Sequence, residues 1–179
     1  YWNPAGLAQG NGMEFFVSYT ERFGLGIHDA SAGLTLPTEK RYRLGMAVIR
    51  TSVDDINRAT RADADGRPIV EGTFTDAENA FVLAMGYRIH RIFSVGLSSK
   101  LLIHQLDSWS ANGLGFDLGF LFTPWDHVTV GLNVQNLNNP RMRWNTIERS
   151  YDHISSNVKA GCAVTLLSRR LILSADLDD

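Results

Sequence analysis

The stretch Phe93-Ser94-Val95-Gly96-Leu97-Ser98-Ser99-Lys100-Leu101-Leu102-Ile103-His104 decides how this chain folds. Phe93, Val95, Leu97, Ser99, Leu101 and Ile103 fall on one side, and Ser94, Gly96, Ser98, Lys100 and His104 on the other. A repeat of two residues is the period of a β-strand with one apolar and one polar face. A helix would need apolar residues to return at three and four positions, and they do not.

Working outward, the same period recurs along the chain. Leu114, Phe116, Leu118, Phe120 and Phe122 alternate with Gly115, Asp117 and Gly119, and Val128, Val130, Leu132 and Val134 with Thr129, Gly131, Asn133 and Gln135. Upstream lie Met13-Phe15-Val17-Tyr19, Ala30-Ala32-Leu34-Leu36, Tyr42-Leu44-Met46-Val48 and Phe81-Leu83-Met85-Tyr87-Ile89; downstream lie Val158-Ala160-Cys162-Val164-Leu166 and Leu171-Leu173-Ala175-Leu177. The pattern predicts roughly nine strands of about 9 to 13 residues, near the length that crosses a bilayer at a tilt.

The links between strands carry a second signal. Tight links are expected at Pro37 to Lys40, His90-Arg91, Pro124 to His127 and Ser168 to Arg170. Longer polar links are expected at Glu21 to Asp29, Val53 to Asn79, Gln105 to Asn112 and Asn138 to Ser155. Alternation of short and long connections is the asymmetry of an outer-membrane barrel, with tight periplasmic turns and longer outer loops. Trp125, Tyr42, Tyr87 and Phe93, near tight links, suit an interfacial aromatic girdle.

Composition narrows the field. The net charge is -2 and the pI about 6.2, so no basic field attracts nucleic acid. Hydrophobic residues make up 44% of the 179 positions, yet no run approaches the ~20 apolar residues of a membrane helix. The single cysteine, Cys162, rules out an internal disulfide and a thiolate metal cluster. The chain starts at Tyr1 without an initiator methionine and stops at Asp179 within an alternating segment, and the expectation is a fragment of a longer gene. A soluble sandwich or ligand-binding barrel would also alternate, but with its apolar face turned inward. Here a polar face rich in Gly, Ser, Thr and Asn suits a hydrated or plugged lumen, and Phe, Leu and Val suit lipid. The expected fold class is therefore all-β: an antiparallel up-and-down transmembrane β-barrel.

The opening Tyr1-Trp2-Asn3-Pro4-Ala5-Gly6-Leu7-Ala8 resembles the "NPAGLA" segment of the FadL-type outer-membrane transporters and the related PorV/PorQ-like barrels. The run from Gly113 to Pro124, followed by Val128 to Leu137, is similar to the "DLG…P" and "GL.VQNL" strands of the PorV/PorQ side. The resemblance implies residues 1–12 as a hatch or N-terminal lead-in and residues 13–179 as a partial barrel. It also implies about fourteen strands in the whole, so that an incomplete barrel of about nine is expected here, with about five missing. Such an open sheet has two raw edges and is not expected to sit in lipid alone.

By the same resemblance, Asn3, Pro4 and Ala5 form the hatch motif inside the barrel. Physically, Pro4 fixes φ and removes a donor while Asn3 bonds a neighbouring backbone group; a turn that merely caps the entrance is the alternative. Arg43, Arg88, Lys100, Asp117, Lys159 and Asp176 fall on the polar side of their strands and are candidate lumen-facing charges, either orienting a solute or pairing structurally. Asp63-Ala64-Asp65-Gly66 has a calcium-loop look, but an EF-hand register puts Arg61 first and Gly72 last, so the motif fails. Asp152-His153 has no Ser or Cys tied to it by spacing, and His104, His127 and His153 are scattered. No catalytic residue, metal site or cofactor is expected, and the chain is read as a non-enzyme.

The functional expectation is a protein of the bacterial outer membrane acting in transport or surface delivery. The alternatives are an uptake channel for hydrophobic, fatty-acid-like compounds and a cargo-shuttle barrel of type IX secretion. Expected partners are outer-membrane lipid and either a hydrophobic small molecule or a secreted protein cargo, with no nucleic acid.

Overall fold

The computed structural model describes residues 3–38, 41–146, 150–167 and 170–178. A short 3-10 helix, Pro4–Gln9, precedes the strands β1 (Glu14–Arg22), β2 (Ile27–Pro37), β3 (Tyr42–Arg58), β4 (Arg61–Ala62), β5 (Pro68–Ile69), β6 (Gly72–His90), β7 (Phe93–Leu106), β8 (Trp109–Trp125), β9 (Val128–Gln135), β10 (Arg141–Trp144), β11 (Tyr151–His153), β12 (Asn157–Leu166) and β13 (Leu171–Asp178). Nine of these form one antiparallel path, β1-β2-β3-β6-β7-β8-β9-β12-β13, each paired with the next long strand in the chain. The fold is an up-and-down antiparallel sheet, as the alternation predicts. Its outer strands β1 and β13 do not pair with each other, so among the described residues the sheet is open. No helix of the described residues is long and apolar enough to cross a membrane.

Register explains the faces. Directly opposed residues of an antiparallel pair share a face. Tyr42↔Tyr87, Leu44↔Met85, Met46↔Leu83 and Val48↔Phe81 are opposed across β3 and β6, and Met85↔Leu97 and Leu97↔Leu118 carry the apolar face on through β7 and β8. This face is bare: Phe15 is 80%, Leu83 63% and Leu97 49% exposed. The opposite face is the more polar and, over the central strands, the covered one, with Asp117 at 3% and Asn133 at 2%, while β1 and β13 are exposed. The polarity is the reverse of a water-soluble protein, in which polar groups face solvent and apolar side chains fill the core.

The nine strands of the path are more unequal than expected, running from 8 residues in β9 and β13 to 19 in β6. The reason corrects the predicted loops. The link at Glu21 to Asp29 shrinks to residues 23–26, and that at Gln105 to Asn112 to residues 107–108. The stretch Val53 to Asn79 is mostly strand: beyond a bulge at Asp54-Asp55, Ile56↔Phe74, Asn57↔Thr73 and Arg58↔Gly72 continue the ladder, and β4 pairs β5 at the tip. Asn138 to Ser155 likewise contains the β10–β11 hairpin, which pairs onto β8 through Arg143↔Asn112 and Trp144↔Ala111. Apolar alternation ends before backbone pairing does, because the ladder bonds need no apolar face. At the other end β6 joins β7 through 91–92 and β8 joins β9 through 126–127, both tight. Glu39 and Lys40 of the β2–β3 link, and Ser168 and Arg169 of the β12–β13 link, lie outside the described residues.

At the tip of the β3–β6 hairpin, Asp63 closes an Asx turn by accepting the N–H of Asp65 at 2.9 Å and of Arg67 at 2.8 Å. That is a structural use of the carboxylate considered for calcium. Nearby, hydrogen bonds from Thr60 and then Arg61 hold the Glu71 carboxyl below its ordinary value.

Candidate functional site

The covered face is built around its own N-terminal segment. Asn3 caps the 3-10 helix, its Oδ1 accepting the Ala5 N–H at 2.9 Å, and Pro4 occupies the first turn, where a missing donor costs nothing. The same Asn3 side chain reaches the sheet, its Nδ2 donating to the carbonyls of Phe120 in β8 and Leu132 in β9, both at 3.1 Å. Ala5 and Ala8 are buried against the strands. The structure thus places the three hatch-motif residues together on the polar face. Tyr1 and Trp2 lie outside the described residues.

Glycines make the seat. Gly86, Gly96 and Gly119 oppose one another across β6, β7 and β8. A Cβ on Gly96 would stand 2.1 Å from the Ala5 nitrogen, on Gly119 2.1 Å from Asn3 Oδ1, and on Gly86 2.7 Å from the Ala8 nitrogen. Gly45 in β3 would meet Leu7 at 3.1 Å. At Gly86 and Gly96 only hydrogen lets two backbones approach so closely, and at Gly119 and Gly45 it leaves room for the Asn3 and Leu7 side chains. The alternation shows glycines on the polar side, but only the register reveals that they align under one segment.

The far end of the segment is held by cations. Arg88 Nη2 donates to the Ala8 carbonyl at 2.5 Å, and Arg43 Nη2 donates to the Gly12 carbonyl and, at 3.3 Å, to Thr35 Oγ1. The Arg43 guanidinium also fills the space beside Gly10 that a Cβ there would need. Two of the six candidate charges therefore hold the segment in place. A cavity of about 230 Å³ remains between the segment and the first strands, bounded by Leu7, Phe16, Ala47, Val82, Ala84 and Arg43.

Two more of the candidate charges meet each other. Lys100 Nζ lies 2.7 Å from Asp117 Oδ1, and the pair is buried on the polar face. Asp117 also accepts Ser98 Oγ–H at 2.8 Å and the Asn136 N–H at 2.9 Å. Lys159 pairs with Asp178 at 2.7 Å, and the Asp176 carboxylate lies over Gly161. Ser98, Asn136 and Asp178 escape a sequence reading because their partners sit on neighbouring strands.

The run Gln135-Asn136-Leu137-Asn138-Asn139 acquires a physical meaning here. The β8–β9 ladder reaches only Leu118↔Val134, which leaves backbone groups of β8 beyond it to be met elsewhere. Asn138 meets two of them, accepting the Phe116 N–H at 3.1 Å and donating to the Leu114 carbonyl at 2.7 Å. Asn139 Oδ1 accepts the Ser156 N–H at 2.9 Å. These amides substitute for a strand partner.

At the hairpin end of the same face, His104 Nε2 lies 2.6 Å from Asp76 Oδ1, and its ring packs on Trp144 at 5.1 Å. Asp152 accepts the Trp144 indole N–H at 2.6 Å, so the loop carboxylate weighed beside His153 fastens the β10–β11 hairpin. Among the described residues no group of three His, Cys, Asp or Glu side chains is arranged to hold a metal ion.

One prediction follows from the cap. Asn3→Ala removes two bonds to the sheet and the cap on Ala5, a loss of about 1–2 kcal/mol confined to the segment. Backbone amides of residues 5–10 are expected to exchange hydrogen about tenfold faster or more, with the β6–β8 amides unchanged. Uniform acceleration across the sheet would show that Asn3 supports the whole fold and not the segment.

These features define the class of protein: an open, antiparallel, up-and-down sheet that seats its own N-terminal segment on a polar, glycine-rich face and leaves its apolar face bare. No family model matches the chain, and a search of curated proteins gives no match.

Proposed function

We propose that this chain forms the wall of an outer-membrane β-barrel of the FadL/PorV-like group, closed by further strands joined to β1 and β13, and that it acts in transport across the bacterial outer membrane. The observation that carries this reading is the reversed polarity of the sheet. A continuous bare apolar face costs roughly 25 cal/mol for every Å² held in water and nothing comparable in lipid. The unpaired edges of β1 and β13 support closure, since open edges are not tolerated in hydrocarbon. In this reading the polar face lines the lumen and the Asn3–Gly10 segment is its plug.

The passenger proposed is a small, mainly apolar molecule. The cavity beside the plug favours it, with Leu7, Phe16, Ala47 and Val82 offering apolar contact. A second reading, a platform that carries protein cargo at the surface, is favoured by the firmness of the plug, tied to the wall by Asn3, Arg43 and Arg88. Uptake of a labelled hydrophobic compound into proteoliposomes supports the first; co-purification of secretion components without uptake supports the second.

The membrane placement is tested with fluorophores on single cysteines in a Cys162→Ala background of the full-length protein, reconstituted with nitroxide-bearing lipids. Labels at Leu83, Leu97 and Leu132 are expected to be quenched several-fold more strongly than labels at Thr129 and Ala163 on the opposite face. Quenching of the first three by aqueous iodide and not by lipid would sink the reading.

A further inference from the structure

The tight-turn end of the polar face gathers several cations around one cavity. Elsewhere the cations of this face sit against carboxylates, Lys100 on Asp117 and Lys159 on Asp178. Arg22, Arg58 and Arg61 pair with Asp29, Asp107 and Glu71 in the same way. Arg41, Arg43, Arg88 and Arg91, with His90, instead line one open cavity of about 610 Å³ beside the end of the plug, and no described carboxylate lines it with them.

Geometry gathers them. Arg43 and Arg88 rise from the covered face of β3 and β6, and Arg41 and Arg91 stand in the adjoining turns. The Arg41 carbonyl accepts the Arg88 N–H at 2.9 Å, which ties the β2–β3 link to the end of β6. Arg43 is only 7% exposed, and its Nε–H is buried without a hydrogen-bond partner among the described residues. A buried guanidinium whose partners are neutral oxygens keeps an uncompensated charge, which is costly at low dielectric. The exposed guanidiniums of Arg41, Arg88 and Arg91 line the same cavity, and like charges gathered there repel one another.

We propose that this cavity is a binding site for a phosphate-bearing anion. Guanidinium forks match the oxygen pairs of phosphate, and a dianion with several oxygens accepts from more than one arginine at once. Arg41 and Arg91, exposed at the rim, supply forks from the two turns, and Arg88 and the nearly buried Arg43 supply charge from below. The ligand is either a free phosphate compound or the headgroup of an anionic phospholipid. The site stands on the arginine geometry and does not depend on the membrane reading.

The test uses the full-length protein in a zwitterionic detergent. Inorganic phosphate and pyrophosphate are titrated by calorimetry. In a second arm, binding to phosphatidylcholine vesicles is compared with and without phosphatidylglycerol. The parent is expected to bind in at least one arm. Arg41→Gln with Arg91→Gln is expected to weaken that binding about a hundredfold, about tenfold for each lost fork, while Arg67→Gln at the distant hairpin tip leaves it unchanged. Binding of the free anions assigns a soluble phosphate compound, and binding only to the anionic vesicles assigns a lipid headgroup. The proposal is overturned if neither arm shows binding, or if the double variant binds as the parent does. Arg88→Gln alone, still retaining the plug through Asn3, guards against loss of fold as the cause and is expected to weaken binding about tenfold.

Discussion

Replacing Gly96 with valine is expected to unseat the Asn3–Gln9 segment while leaving the sheet intact. The new Cβ would lie 2.1 Å from the Ala5 nitrogen and 2.2 Å from the Pro4 carbonyl carbon, both backbone atoms that cannot swing aside as a flexible side chain does. Overpacking a fitted site costs about 1–3 kcal/mol, and an obstacle of backbone puts this case at the top of that range or above it. Valine is meanwhile a better strand former than glycine, so the β6–β7–β8 ladder gains slightly. Hydrogen exchange read by mass spectrometry should show residues 3–10 losing protection by about a hundredfold or more, with the ladder amides unchanged. Gly6→Ala serves as the comparison, because a Cβ there meets nothing within 4 Å. Equal protection of the segment in Gly96→Val and the parent would show that the glycine row is not the seat. Under the proposed function, the same variant should raise the permeability of the reconstituted protein.

The second large effect is expected at Asp117. Asp117→Asn leaves the Lys100 ammonium buried without its countercharge, a loss of about 3–5 kcal/mol. The Lys100→Met, Asp117→Leu pair removes both charges and should recover most of that loss. About 1 kcal/mol should remain missing, because in the double variant the Asn136 N–H and the Ser98 hydroxyl both lose their acceptor. Denaturation midpoints of the three proteins decide the matter. A single variant within 1 kcal/mol of the parent would mean that water reaches Lys100 and that the pair is not buried in solution. The site matters beyond stability, since Asp117 ties the β9–β10 link to the wall through Asn136.

The two predictions differ in how far the sequence alone could have led to them. Lys100 and Asp117 stand on the polar side of adjacent strands, so their meeting was a matter of register. The alternation admits every even shift, and the tight 107–108 link between β7 and β8 fixes which one holds. The seat under Pro4 and Ala5 was further out of reach. Gly86, Gly96 and Gly119 are far apart in the chain, and each on its own reads as an ordinary strand glycine. The hairpin extensions escape the alternation for a different reason. Residues 53–58 and 72–79 lose apolar alternation, and period-two reading sees a strand only where one face differs from the other.

Alternation along the chain determined by itself that the protein is all-β, that about nine long strands follow one another and that one face is richer in polar residues and glycine. It does so because side chains in a strand point to opposite faces in turn, a geometric fact independent of partners. Tertiary structure alone decided that the polar face is the covered one, that the N-terminal segment rests on a row of glycines there, and that Arg41, Arg43, Arg88 and Arg91 converge at one end. Those facts depend on which residues lie opposite each other across strands. That is set by the turns and by the close approach of two backbones, and neither is written in any single stretch of sequence.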